Sequence, residues 1–302
     1  MPFGGLLLAS IVMSIACRPG GPKQSAGGRD STELAARAAR LDSALAAPPD
    51  TGKKKDEPVA RWVMPTSLAE ISGLALTPDG RLFAHNDENA RVAELDYRRG
   101  SVIKQFTLGS PALHGDFEAM TWTPKALFLL ESNGRLFEFQ EGADGASVGY
   151  TVHDLHLKKE CEFEGLDYEP ASGSLLLACK RVKPSMDKFL MIYRWKLGDE
   201  SAAPTTLTVP LEKLIGAHNW DGFHPSDITI DPTSGNYVLI SSMEKAMVEI
   251  TPKGDVVFAR ALHGRHAQPE GVAITKDGLL LISDEAGKRS GSPAALTVYR
   301  WP

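Results

Sequence analysis

From Val59 onward, apolar and polar residues alternate in short runs broken by Pro, Gly, Asp and Asn, the period-two pattern of half-buried β-strands joined by tight turns. Five stretches share one order: residues 70–86, 116–131, 161–180, 224–242 and 268–284. Each opens on a polar residue followed by a small one, continues as an apolar alternation, turns at Pro, Gly or Asp, and ends in a second apolar run with a polar tail. Aligned on their turns, they place Ser72, Glu118, Glu164, Ser226 and Glu270 at one equivalent position, separated by 46, 46, 62 and 44 residues. Insertions at 181–188 and 212–224 account for the long interval.

A repeat of this length is the period of a propeller blade. Each unit runs on into two further strand patterns, giving the four antiparallel strands that a blade contains. The fifth unit is one strand short at the C-terminus, while an unassigned strand at residues 60–64 stands before the first repeat. Pairing the two closes the circle and covers two edges that would otherwise be exposed. The pattern therefore predicts an all-β, five-bladed β-propeller over residues 59–302, with the last blade closed by the N-terminal strand.

Composition changes the picture only at the front. The 302 residues are 42% hydrophobic and 24% charged with a net charge of -5, so a polyanion partner such as nucleic acid is not expected. Residues 4–16 form an apolar run too short to span a bilayer and end in Ser14, Ile15, Ala16 and Cys17. This resembles a bacterial lipoprotein signal, although it lacks a charged start. It implies removal of residues 1–16, lipid on Cys17 and residence at the cell envelope, with the lipid as sole membrane attachment and the outer membrane's periplasmic side as the expected location. A plain signal peptide is the alternative. Residues 17–58 read as a tether with one short helix, in which Leu34, Ala38, Leu41 and Leu45 share a face. In an exported compartment Cys161 and Cys179, which flank one hairpin, are either a disulfide or two buried thiols.

The repeats resemble the SdiA-regulated family of bacterial exported propellers, which is distantly similar to NHL-repeat propellers. The residues that carry the resemblance are Ile71 to Leu74, Asp116 to Met120, Phe163 to Tyr168, Ser226 to Ile228 and Pro269 to Val272, with Leu177 to Lys180. The resemblance implies a calcium-binding site and no established reaction. Ala119 and Asp227 depart from it by replacing the motif glycine in two blades.

The strand period puts the aligned position at the start of each innermost strand, where the blade meets the channel mouth. Three glutamates at one level of a narrow channel repel one another and raise each other's pKa unless a cation compensates. Calcium, with its loose coordination by oxygen ligands, suits carboxylates and hydroxyls from separate blades. Glu118, Glu164, Glu270, Ser72 and Ser226 are thus the candidate ligands, with Glu70, Asp116 and Glu162 as outer ligands or an acidic rim. Pairing with Lys180, Arg181 or Lys245 is the simpler alternative. Asn86, Glu131, Lys180, Ser242 and Asp284 end the second strands and are expected at the same mouth.

No nucleophile elbow, zinc-protease pair or phosphate-binding loop is present. The expected function is a calcium-steadied module that presents its loop face, including Trp220 and Phe223, to an envelope protein or a small ligand. The alternative is a calcium-dependent phosphoesterase or lactonase using His114, His224 or His266 as general base.

Overall fold

The computed structural model describes Met1 and residues 26–48, 57–199, 202–216, 218–287 and 291–301. Cys17 and the leader lie outside the described residues. Five sheets, antiparallel but for one short parallel pair, succeed one another around a central channel. Their innermost strands are Ile71–Leu76, Phe117–Trp122, Cys161–Glu169, Asp227–Ile230 and Pro269–Ile274. The fifth sheet is completed by Ala60–Val63, which pairs antiparallel with the last strand, Ala295–Arg300, in the register Ala60 to Val298 and Val63 to Ala295. N-terminal closure is thus a feature of the fold.

One outer strand divides. The run expected as the fourth strand of blade 2 breaks at Gly149: Tyr150–Asp154 completes blade 2, while Ser147–Val148 pairs in parallel with the edge of blade 1. One stretch of chain therefore covers parts of two edges.

The core follows the blade boundaries. Five apolar clusters form, one at each interface between neighbouring blades. Two residues past each aligned position stand Leu74, Met120, Leu166, Ile228 and Val272, each buried against the preceding blade. Burying side chains of this size stabilises by about 1.5–3 kcal/mol each.

The N-terminal helix runs Ala26–Ala46. Leu41, 1% exposed, enters the cluster between blades 5 and 1, with Leu45 beside it. Arg300 Nη2 donates to the carbonyls of Ala44, Leu45 and Ala47 at 2.7, 2.9 and 2.7 Å, meeting acceptors that a helix end leaves open. An ion pair joins Arg98 to Asp42. Among the described residues no helix is long and apolar enough to cross a membrane.

In the 212–224 insertion, Leu214 and Phe223 are buried at the boundary of blades 3 and 4, and Trp220 stacks on His218 with ring centroids 4.1 Å apart. Much of the aromatic surface expected for partner contact is thus packed against the propeller itself.

Candidate functional site: an acidic channel mouth

The innermost strands all begin at the same end of the channel, and four begin irregularly. The pairing with the second strand skips Ser72 and Gly73 in blade 1, Glu118 in blade 2, Glu164 in blade 3 and Glu270 in blade 5. These are β-bulges, which leave one residue out of the ladder and re-aim its side chain. Regular alternation would have sent the three glutamates toward the buried blade boundaries. The bulges turn them to the mouth.

There they line a cavity of about 150 Å³ together with Ser72, Glu70, Asp87 and Glu285. Gln268, Lys180 and Ile71 complete its wall. Among the described residues, none from blade 4 lines it. That blade's Ser226 is 1% exposed and donates to Pro269 O at 2.7 Å, while Ser72 donates to Glu118 O at 3.0 Å. Both serines therefore tie one blade to the next.

The electrostatics of the cavity are those of crowded carboxylates. Burial, followed by the charges of Glu164 and Asp116, raises Glu118 to about 9. Burial also raises Glu164, to about 8, although Lys180 is bonded to its Oε1 and opposes the shift. Glu270 is raised by burial as well. Desolvation disfavours the ammonium of Lys180, but Glu164, Glu270 and Glu118 outweigh it and hold that pKa above its ordinary value.

The other half of the cavity is lined by Glu70, Asp87 and Glu285. Burial and the charge of Glu70 raise Asp87 to about 6, with Glu285 contributing, and Asp87 Oδ1 is buried without a hydrogen-bond partner. An orphaned carboxylate oxygen beside two further acids is the donor chemistry of a hard cation site. As the side chains stand, no three His, Cys, Asp or Glu among the described residues converge on one point, so a bound ion would draw them inward. On donor type the residues fit calcium.

The remaining sequence candidates are distributed differently. Asp116 Oδ2 accepts from Ser132 at 2.5 Å, and Glu162 pairs with Arg181 at 2.7 Å. Asn86 Oδ1 accepts from the Asn89 amide at 3.0 Å, Glu131 is bound by Arg135, and Asp284 pairs with His266 at 2.8 Å. Of the second-strand ends, Lys180 lines the cavity and Ser242 hydrogen-bonds Glu270. Cys161 and Cys179 are joined as a disulfide, with Cα atoms 5.6 Å apart. Asp87 and Glu285 escaped the repeat reading because they lie one residue beyond Asn86 and Asp284. Extending the alignment by one position would have exposed both.

Below the mouth, two carboxylates bridge neighbouring blades. Asp227 Oδ1 accepts from Ile228 N and Oδ2 from Val272 N, both at 2.8 Å. Asp167 accepts from Tyr168 N at 2.7 Å, Ile230 N at 2.8 Å and Thr121 Oγ1 at 3.0 Å. These carboxylates satisfy amides on the open edges of the innermost strands, which accounts for an aspartate at a glycine position.

A family model described as SdiA-regulated matches residues 59–289. The chain belongs to the SdiA-regulated family. No curated protein matches its sequence. Among solved structures, Myxococcus xanthus glutaminyl cyclase is similar at 15% identity and a TM-score of 0.56, covering 80% of this chain and 94% of that one. The PQQ-bound aldose sugar dehydrogenase of Streptomyces coelicolor is similar at 12% identity and a TM-score of 0.49, covering 80% and 98%. Staphylococcus aureus virginiamycin B lyase is similar at 13% identity and a TM-score of 0.43, covering 79% and 69%. The likeness to the cyclase is one of fold alone.

Proposed function

We propose that this SdiA-regulated chain is an exported propeller module, lipid-anchored through Cys17 at the cell envelope, that holds calcium in its acidic mouth and presents the surrounding loops to an envelope protein or small ligand. The observation that carries the calcium reading is the buried, unpartnered Oδ1 of Asp87 in a cavity shared with five glutamates. Asp87, Glu70, Glu285 and Glu118 would hold the ion, while Lys180 already compensates Glu164 and Glu270. When bound, calcium supplies a charge that lets carboxylates from blades 1, 2 and 5 ionise together, and so ties those blades. Ligands that must lose protons make binding pH-dependent.

Calorimetric titration of chelator-stripped protein tests this. One calcium per chain, proton release and a raised melting temperature are expected, all weakened in Asp87→Asn. Absence of both calcium heat and thermal shift rejects the site. Incorporation of labelled palmitate at Cys17, lost in Cys17→Ala, tests the anchor.

One observation favours a hydrolytic reading as the alternative. His224 Nδ1 is held by Glu244 at 2.8 Å at the entry to blade 4, the arrangement that orients an imidazole as a base. His266, by contrast, is enclosed between Asp284 and Tyr299 at 2.8 Å each. Calcium-dependent turnover of phosphoester or lactone substrates, abolished in His224→Ala, would establish an enzyme. Calcium-dependent stability with no turnover favours the module.

A further inference from the structure

The opposite end of the channel holds a second cavity, larger than the first and of contrary character. It has a volume of about 390 Å³ and shares no lining residue with the acidic mouth among the described residues. Two complete five-membered rings build its wall. The first comes from the residue four places past each aligned position: Leu76, Trp122, Tyr168, Ile230 and Ile274. Side chains two places earlier are buried between blades, but here the blades diverge, and Leu76, Trp122, Tyr168 and Ile230 are left half-buried. The second ring comes from the turns that follow: Pro78, Pro124, Pro170 and Pro232, with Lys276 in the fifth place.

Lys276 is the informative member. The turns of blades 1 and 5 are built alike, Thr-Pro-Asp-Gly at 77–80 and Thr-Lys-Asp-Gly at 275–278. In each, the glycine amide donates back to the threonine carbonyl, at 2.9 Å in blade 1 and 3.1 Å in blade 5. Both glycines have positive φ, 85° and 75°. Proline suits the second position of such a turn, so turn geometry does not call for lysine there. The Lys276 ammonium donates to Pro78 O at 3.1 Å, a neutral acceptor, and forms no ion pair among the described residues. The carboxylates around it are otherwise directed: Asp79 toward Thr77, Asp277 toward Arg98 at 4.0 Å, and Asp167 toward the amides of Tyr168 and Ile230. A concave, mainly apolar site with aromatic walls, the Lys276 ammonium at its rim and the Asp167 carboxylate engaged by backbone amides has the make-up of a small-molecule pocket.

We infer that this funnel is a second binding site, independent of the acidic mouth, which takes a small aromatic or alicyclic monoanion, its rings against Trp122, Tyr168 and the proline ring and its anionic group on Lys276. Flat rings pack on aromatic and proline faces. The Lys276 ammonium, whose acceptor is a neutral carbonyl, selects the sign of the ligand's charge.

Two fluorescent probes of matched ring system test the inference on the full chain: anilinonaphthalene sulfonate, which carries the anion, and phenylnaphthylamine, which lacks it. The sulfonate is expected to bind the native protein saturably, one per chain, to raise its melting temperature and to bind more tightly than the neutral probe. Lys276→Met should weaken the sulfonate about tenfold and leave phenylnaphthylamine unchanged. Lys276→Pro, which gives blade 5 the turn of blade 1, should do the same and guards against a fold effect. Trp122→Leu should weaken both probes, whereas Asp87→Asn, at the acidic mouth, should weaken neither. The inference is overturned if the sulfonate does not saturate on native protein, if the two Lys276 variants bind both probes as before, or if the neutral probe binds the wild type as tightly as the anion.

Discussion

The Asp227 carboxylate accepts the backbone N–H of Val272 at 2.8 Å, tying blade 4 to blade 5 inside the channel. Aspartate at this position, 0% exposed, replaces the glycine of the repeat pattern, and burial pushes its carboxyl well above the usual range. Restoring the motif would therefore harm this protein. Asp227→Gly and Asp227→Ala both leave the amides of Val272 and Ile228 unpaired, at a cost of about 2–4 kcal/mol. Denaturant titration is expected to show that loss for both, and a Gly variant as stable as the wild type would contradict the tie.

How far the site could be read beforehand turns on a few residues. Blade count, closure by Ala60–Val63 and the alignment of Glu118, Glu164 and Glu270 follow from periodicity, because strand alternation and turn residues are local properties of the chain. The direction in which those glutamates point does not follow. It depends on a bulge at each strand start, and a bulge is a mismatch between two strands that one strand's sequence does not display. Ser226 shows the converse: it aligns with Ser72 and the three glutamates, yet blade 4 pairs from Asp227 without a bulge, and its hydroxyl turns to Pro269 O. The funnel ring was present in the repeats, as four prolines and one lysine at one turn position. It is not legible as a site in the sequence, because turn prolines are normally explained by the turn.

Closure makes a separate prediction. Ala60–Val63 supplies the outer strand of blade 5, and Trp62 donates its indole N–H to Tyr97 O at 2.8 Å in blade 1. Deleting residues 60–63 removes that strand and exposes the edge Ala295–Arg300. Thermal melts of the deletion protein should show a transition lowered by on the order of 10 °C or no cooperative transition. Unchanged melting would contradict a circular domain.

Stability of the metal-free protein should depend on pH in one direction. Asp167, Glu164 and Glu118 have folded pKa values of about 6, about 8 and about 9, above the unfolded values of 3.8 for the aspartate and 4.5 for the glutamates. Between the unfolded and folded values the native chain holds more protons than the unfolded chain. Their contribution is therefore fully present below about pH 4 and is lost as pH rises through the folded values. Melts in chelator from pH 5 to pH 9.5 are expected to fall steadily, and Glu118→Gln should flatten the upper part of that fall. Saturating calcium should flatten it too in wild type. A melting temperature that rises over this range in chelator would contradict the acidic mouth as described.

Lys180 is the mouth's own cation, and its removal separates two roles. The Lys180 and Glu164 side chains are bonded within the cavity, 19% and 4% exposed, so Lys180→Met leaves Glu164 buried without its partner, takes from Glu118 the cation that acts on it, and leaves Glu270 with Lys245. With Glu164 raised to about 8, the pair is fully charged only above that pH, and there breaking it from one side costs about 3–5 kcal/mol where no other ion compensates. The metal-free variant should thus melt well below wild type at pH 9 and closer to it at pH 6. Calcium should restore much of the difference, because the Lys180 ammonium no longer competes for the carboxylates, and the affinity for calcium should rise about tenfold. Calorimetry and melting in parallel check this. A variant that is destabilised yet binds calcium no more tightly would show that Lys180 only supports Glu164. A variant with unchanged stability would show that the pair contributes little to holding the mouth together.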